Sequence, residues 1–191
     1  MLTRSKRTKE GWLLVDDMVK RWMQQRVQLT QDFEGIVTPL QSKESADSLS
    51  TRINRFCQTL VDYVSAGHFE VYNELITEAK EFNDGSLGLG IDLCKAIEKS
   101  TDLAIEFNDK FETNCHDSAL LAKLPKHLVE LGSVLNLRFE LEDRLISAVH
   151  NCHRSLVAWL FIAQLNPIAL RDWKASILAK VILIPLMSLL F

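Results

Sequence analysis

Glycine and proline are scarce in this chain, seven and four among 191 residues, and tyrosine occurs twice. So few breakers exclude a fold made of many short strands and turns, and leave long elements, for which helix is the natural state. No segment alternates apolar and polar residues over any length, so no strand is expected. The four cysteines, Cys57, Cys94, Cys115 and Cys152, are widely spaced with no C-x-x-C. That argues against a disulfide framework or a zinc ribbon and for reduced thiols of a cytoplasmic protein. There is no G-x-S-x-G. The run Gly85-x-x-Gly88-x-Gly90 lacks the strand before it and the lysine that a phosphate-binding loop needs. After the basic start, Trp12-Leu13-Leu14-Val15 meets Asp16 and Asp17, too short an apolar core for a secretory signal.

What is present is ordinary in amount and informative in arrangement. Hydrophobic residues make up 47% and charged residues 25%, as in a soluble globular protein. Arg4, Lys6, Arg7 and Lys9 against Glu10 make the start basic, and Arg171, Lys174 and Lys180 against Asp172 make residues 155–191 basic. Taking the +3 and +2 of these ends from the total of −3 leaves about −8 on residues 11–154. Such a body repels nucleic acid and suits a basic protein partner, although acidity also serves solubility alone.

Helical stripes mark the organisation. The first helix is predicted over residues 10–37, with Val15, Val19, Trp22, Leu29, Phe33 and Ile36 on one face and Arg26 intruding. Residues 38–50 read as a loop. A second helix from about Ser50 carries Ile53, Phe56, Leu60 and Val64, and Ser65-Ala66-Gly67 is expected to bend or end it. Phe69, Tyr72, Leu75, Ile76 and Ala79 carry a third, closed by the turn Asn83–Ser86. A fourth, over residues 87–112, has Ile91, Cys94, Ile97, Thr101, Ile105 and Asn108 in phase. After a stretch holding Leu120, Leu121 and Leu124, a long helix from about His127 to Leu165 carries Leu131, Leu135, Phe139, Ile146, Val149, Leu156 and Leu160, with Glu142 within the stripe. These elements predict an all-α protein, an antiparallel four-helix-type bundle with additional short helices. Residues 1–9 are expected to be a basic flexible N-terminus, 10–154 the bundle, and 155–191 an apolar extension.

Arg26, Asp62 with Tyr63, and Glu142 break the apolar pattern, and charges on a core-facing stripe must pair. Arg26 is expected to meet Asp62 or Glu142 inside the bundle, either to fix helix register or as part of a ligand site. A di-iron site is excluded, since no His has Glu three residues before it. His150 and His153 share a helix face and could hold a metal with a third ligand, but such a pair is more often simply a polar face. No metal or other cofactor is expected.

Two segments together resemble a known family. Residues 56–72, Phe-Cys-Gln-Thr-Leu-Val-Asp-Tyr-Val-Ser-Ala-Gly-His-Phe-Glu-Val-Tyr, resemble one signature of the regulator of sigma D family (Rsd/AlgQ). Residues 138–146, Arg-Phe-Glu-Leu-Glu-Asp-Arg-Leu-Ile, resemble a second, and Arg21-Trp22-Met23-Gln24-Gln25-Arg26 fits its first helix. The similarity runs from about residue 10 to 154. It implies a helical anti-sigma protein, not an enzyme, that binds the C-terminal, −35-reading domain of the primary sigma factor and favours alternative sigma factors. The AlgQ branch adds positive control of alginate genes. On this resemblance Trp22, Asp62, Tyr63, His68 and Phe69 are expected at the sigma-binding surface, and Arg26, Glu142 and Asp143 in a buried polar network. The alternative is a small-ligand or metal sensor built on Asp62, His68 and Glu142.

Residues 155–191 depart from the family. Neither Trp159–Ile162 nor Val181–Phe191, which contains Pro185, reaches a membrane-spanning length. The tail is expected to pack on the bundle or on a second copy as a homodimer. Interfacial attachment through Trp173, Lys174 and Lys180 is the alternative.

Overall fold

The computed structural model describes residues 2–38, 46–114 and 116–158, with side chains described from residue 10 and, after the first gap, from residue 49. Its elements are α1 (Leu2–Val37), α2 (Ala46–Ala66), α3 (Tyr72–Phe82), α4 (Ser86–Phe111), a single turn α5 (Ser118–Leu121) and α6 (Leu124–Val149). A π turn, Gly67–Val71, joins α2 to α3, and a 3-10 turn, Asn151–His153, follows α6. The described residues contain no strand, as expected for an all-α chain. The apolar tail from residue 159, with its predicted packing, homodimer and membrane readings, lies outside the described residues. Among those described, no helix is long and apolar enough to cross a membrane.

The helices pack α1 on α2, α2 on α4 and α4 on α6, with α3 against α1, α4 and α6. The α1 stripe of Val15, Val19, Trp22, Leu29 and Ile36 is buried as its spacing requires, and so are Ile53, Phe56, Leu60 and Val64 of α2. Helix α1 begins at Leu2, so the basic segment expected to be a flexible extension is its first turns. Pro125 stands in the first turn of α6, where its missing N–H costs nothing. That helix ends at Val149, well short of the predicted Leu165.

Helix α4 corrects the predicted phase. Ile91 and Ile105, expected inside, are exposed, while Ile97 and Asn108 are buried as expected; the buried face is Gly90, Leu93, Ile97, Ser100, Ala104, Phe107, Asn108 and Phe111. Small residues on this face admit close neighbours: a Cβ on Gly90 would lie 3.0 Å from Ile76 and 3.3 Å from Val149. Close approach of α3 and α6 outweighs burial of the larger aliphatic side chains one step round the helix.

The expected break at Gly67 is not a break. The chain stays helical and takes one wide turn. Gly67 is needed for proximity, since a Cβ there would stand 2.9 Å from the Trp22 ring and 3.0 Å from the Tyr72 hydroxyl. The wide turn also changes which side chains face one way. Nine steps of about 100° would put Tyr63 and Tyr72 on opposite sides of a regular helix. Absorbing one residue in the π turn brings both toward α6.

Gly67→Ala is therefore expected to cost about 1–3 kcal/mol through overpacking on Trp22. Gly88→Ala, where nothing lies within 4 Å of the new Cβ, is expected to be neutral or stabilising by up to about 1 kcal/mol. Urea denaturation of both variants tests the assignment of Gly67 to packing.

Candidate functional site

Glu142 is wholly buried in the middle of α6 and accepts four hydrogen bonds from three other helices and its own. Its Oε1 accepts from the Tyr72 hydroxyl at 2.7 Å and from Arg138 Nε, one turn earlier, at 2.7 Å. Its Oε2 accepts from Arg26 Nη2 of α1 at 2.9 Å and from the Tyr63 hydroxyl of α2. A carboxylate has about four lone-pair positions, and all are used.

The cations are satisfied in turn. Arg138, also fully buried, donates to the Tyr72 hydroxyl at 2.9 Å and, from Nη1, to Ser100 at 3.0 Å and Thr101 at 2.8 Å on α4. Arg26 donates from Nε to the Tyr63 hydroxyl at 3.0 Å and pairs through Nη1 with Asp143. Its guanidinium carbon lies 4.8 Å from the centre of the Phe139 ring. Trp22 stacks on Tyr63 at 5.1 Å and gives its indole N–H to the Tyr63 carbonyl at 3.1 Å. Two guanidinium and two carboxylate groups make the network neutral overall. Burial, then the Glu142 charge, push the pKa of both tyrosines far above the ordinary phenol value. Burial pulls the Arg26 pKa down, but Tyr63, Asp143 and Glu142 outweigh it and keep the guanidinium charged.

A model of the Regulator of RNA polymerase sigma(70) subunit, Rsd/AlgQ, matches residues 1–150. The chain belongs to the Rsd/AlgQ family. It is 30% identical over 135 residues to the Regulator of sigma D of Pectobacterium carotovorum subsp. carotovorum, covering 70% of this chain and 88% of that protein. With the Regulator of sigma D of Yersinia pseudotuberculosis serotype O:1b it shares 26% identity over 132 residues, covering 69% and 78%. No solved structure matches the chain.

The family-like segments converge, but not with every role expected of them. Trp22 and Tyr63, assigned to the sigma-facing surface, are 2% and 0% exposed and build the Glu142 network. Their positions fall on core-facing stripes, and their polar atoms are used internally. Asp143 was expected inside; its side chain is 62% exposed, because one step beyond Glu142 turns it to the rim, where it meets Arg26. Asp62 is exposed, His68 half-buried and Phe69 71% exposed. Neither Asp62 nor His68 is among the donors and acceptors around Glu142, so the sensor cluster of these three is not assembled.

Arg138, Tyr72, Ser100 and Thr101 were not foreseen in the network. Arg138 had a signal: it stands four residues before Glu142, the spacing of an intrahelical ion pair. His150 and His153 are both buried, and each Nδ1 lies 2.7 Å from a different oxygen of Glu78, which is 4% exposed. The other nitrogen of His150 faces Asp16 at 3.3 Å. The two rings are thus parted by a carboxylate and do not share one ligand position.

Glu142→Gln keeps the shape and removes the charge both arginines need, and is expected to cost about 3–5 kcal/mol in denaturant melts. The only two tyrosines both lie in this network. A spectrophotometric alkaline titration should show no tyrosinate until the protein unfolds. Because their folded pKa values are raised, their contribution to stability is intact below the ordinary value of about 10 and declines as pH rises above it. A tyrosinate signal near pH 10 with the fold intact would contradict the buried network.

Proposed function

We propose that this family member is an anti-sigma factor that binds the C-terminal, −35-reading domain of the primary sigma factor and so favours alternative sigma factors. The mode is stoichiometric binding in the cytoplasm, with no reaction catalysed and no direct contact with nucleic acid. The observation that carries this reading is the groove beside the π turn. Its walls are Val64, Ser65, His68 and Phe69 on one side and Glu98, Thr101, Asp102 and Ile105 on the other. Phe69 and Ile105 are exposed apolar groups there, flanked by the carboxylates of Glu98 and Asp102. A domain that binds DNA presents cationic side chains, and an acidic groove with an aromatic anchor complements it in charge and in shape of contact.

The buried network supports the groove from beneath. Thr101 lines the groove and accepts a hydrogen bond from Arg138, so the groove wall is fixed by the Glu142 centre. In this reading Asp62, His68 and Phe69 meet the partner, whereas Trp22, Tyr63, Arg26 and Glu142 hold the shape on which they stand. The names of the two relatives, each a Regulator of sigma D, favour the same partner.

Titration calorimetry of the full chain against the isolated C-terminal domain of the primary sigma factor, across a salt series, tests the proposal. One-to-one binding that weakens with salt is expected. Phe69→Ala should weaken it about 30-fold or more, the effect of losing an anchor worth about 2 kcal/mol, with the melting temperature unchanged. Asp62→Ala should weaken binding chiefly at low salt. Absence of binding at low salt would reject the partner, and full affinity in Phe69→Ala would reject the groove.

A further inference from the structure

At the far end of the bundle, away from the groove, three potential ligand atoms of different chemistry converge. Asp84 Oδ2, Cys152 Sγ and His153 Nε2 lie within 4.8 Å of one another, with His153 to Asp84 at 2.8 Å and Cys152 to Asp84 at 3.9 Å. They come from two places in the sequence, the turn between α3 and α4 and the 3-10 turn after α6. We propose that these three residues bind a zinc-class divalent cation, with water in the fourth position.

The surroundings are those of a built site. A metal-binding imidazole usually gives its other ring N–H to a carboxylate, which sets tautomer and orientation. His153 has that partner in Glu78, 2.7 Å from Nδ1, and its ring lies stacked on Phe82 with centroids 3.7 Å apart. His153 is 1% exposed, so the imidazole is held while its Nε2 points to the two surface ligands. Asp84 is oriented as well, since its Oδ1 accepts the Ser86 backbone N–H at 2.9 Å, which leaves Oδ2 for the cluster.

The donor set selects the ion. A thiol and an imidazole suit zinc and its neighbours and exclude calcium or magnesium as natural occupants. A tetrahedral ion bonded at about 2.0–2.3 Å holds its donors roughly 3.4–3.6 Å apart, between the two spacings found here, so small side-chain rotations seat it. Cys152 and Asp84 are exposed and leave a path for the ion and its water. Binding the ion displaces the thiol proton of Cys152 to solvent, and the Nδ1 edge of His153 stays against Glu78. The His150 and His153 pair suggested by helix spacing is not the ligand pair, because His150 is committed to Glu78 and Asp16. The other ligands are Cys152, the residue beside His153, and Asp84, an aspartate sixty-odd positions earlier.

Cobalt(II) titration of the chelator-treated full chain tests this with the metal alone. A saturable thiolate-to-cobalt charge-transfer absorption at one equivalent, displaced by zinc, is expected. Cys152→Ser should abolish it, Asp84→Asn should weaken cobalt binding by at least about tenfold, and Cys94→Ser and Cys115→Ser should keep it. All variants are checked for an unchanged helical circular dichroism spectrum; Cys152 and Asp84 are exposed, so folding should persist. No charge-transfer band, or one that survives Cys152→Ser, would overturn the assignment.

Discussion

A carboxylate with no access to water organises this bundle. Glu142 can remain charged in the core only if donors fill its lone pairs, because an unpaired buried charge costs several kcal/mol. Those donors come from α1, α2, α3 and α6 itself, and Arg138 extends the bonds to α4. Every long helix is therefore tied to one point by directional bonds, whereas apolar contacts alone would tolerate sliding and rotation. Hydrophobic residues of the right size would make a core of similar stability. What the polar centre adds is a requirement that five helices arrive in one register.

The helices were legible and the polar centre was half legible. Stripes in α1 and α2 are apolar at nearly every inward position, so their spacing reports burial directly. In α4 the inward face is made of Gly90, Ser100 and Ala104 as much as of large side chains, and reading the aliphatic residues as the buried set shifts the phase. In α6 the series Leu128, Leu131, Leu135, Arg138, Glu142, Leu145 and Val149 keeps three- and four-residue spacing throughout. Arg138 was passed over for the apolar Phe139 because an arginine is not expected inside. The pairing of Arg26 with Glu142 follows from the need of two inward charges for each other. That Tyr63 and Tyr72 join them depends on a π turn, and a single residue absorbed in a helix leaves no mark in composition.

The same π turn links the centre to the surface. Its geometry directs Tyr63 and Tyr72 inward on either side of it and leaves Phe69 71% exposed. Gly67 permits this by letting Trp22 and Tyr72 pack where a side chain would stand. A segment that resembles the family over residues 56–72 thus contains inward and outward groups whose positions are set by one irregularity. Sequence similarity alone grouped Trp22 and Tyr63 with His68 and Phe69, since all four lie in segments that resemble the family. Burial separates them into those that shape the surface and those that form it.

Two polar centres at different heights divide the labour of holding the bundle. The Glu142 centre is closed, with all four lone-pair positions of the carboxylate used and net charge near zero. The Glu78 centre, between His150 and His153, opens to Asp16, Asp84 and Cys152 at the surface and carries more carboxylates than fixed cations. Lys20 and Arg154 offset Asp16, but nothing comparable stands beside Asp84 and Cys152 among the described contacts. A closed, balanced network responds little to ions or to moderate changes of pH. An open one presents lone pairs at the surface, where solvent and ions reach them. Polar groups open to solvent therefore belong to the end where α3, α6 and the start of α1 meet, and not to the core beneath the groove.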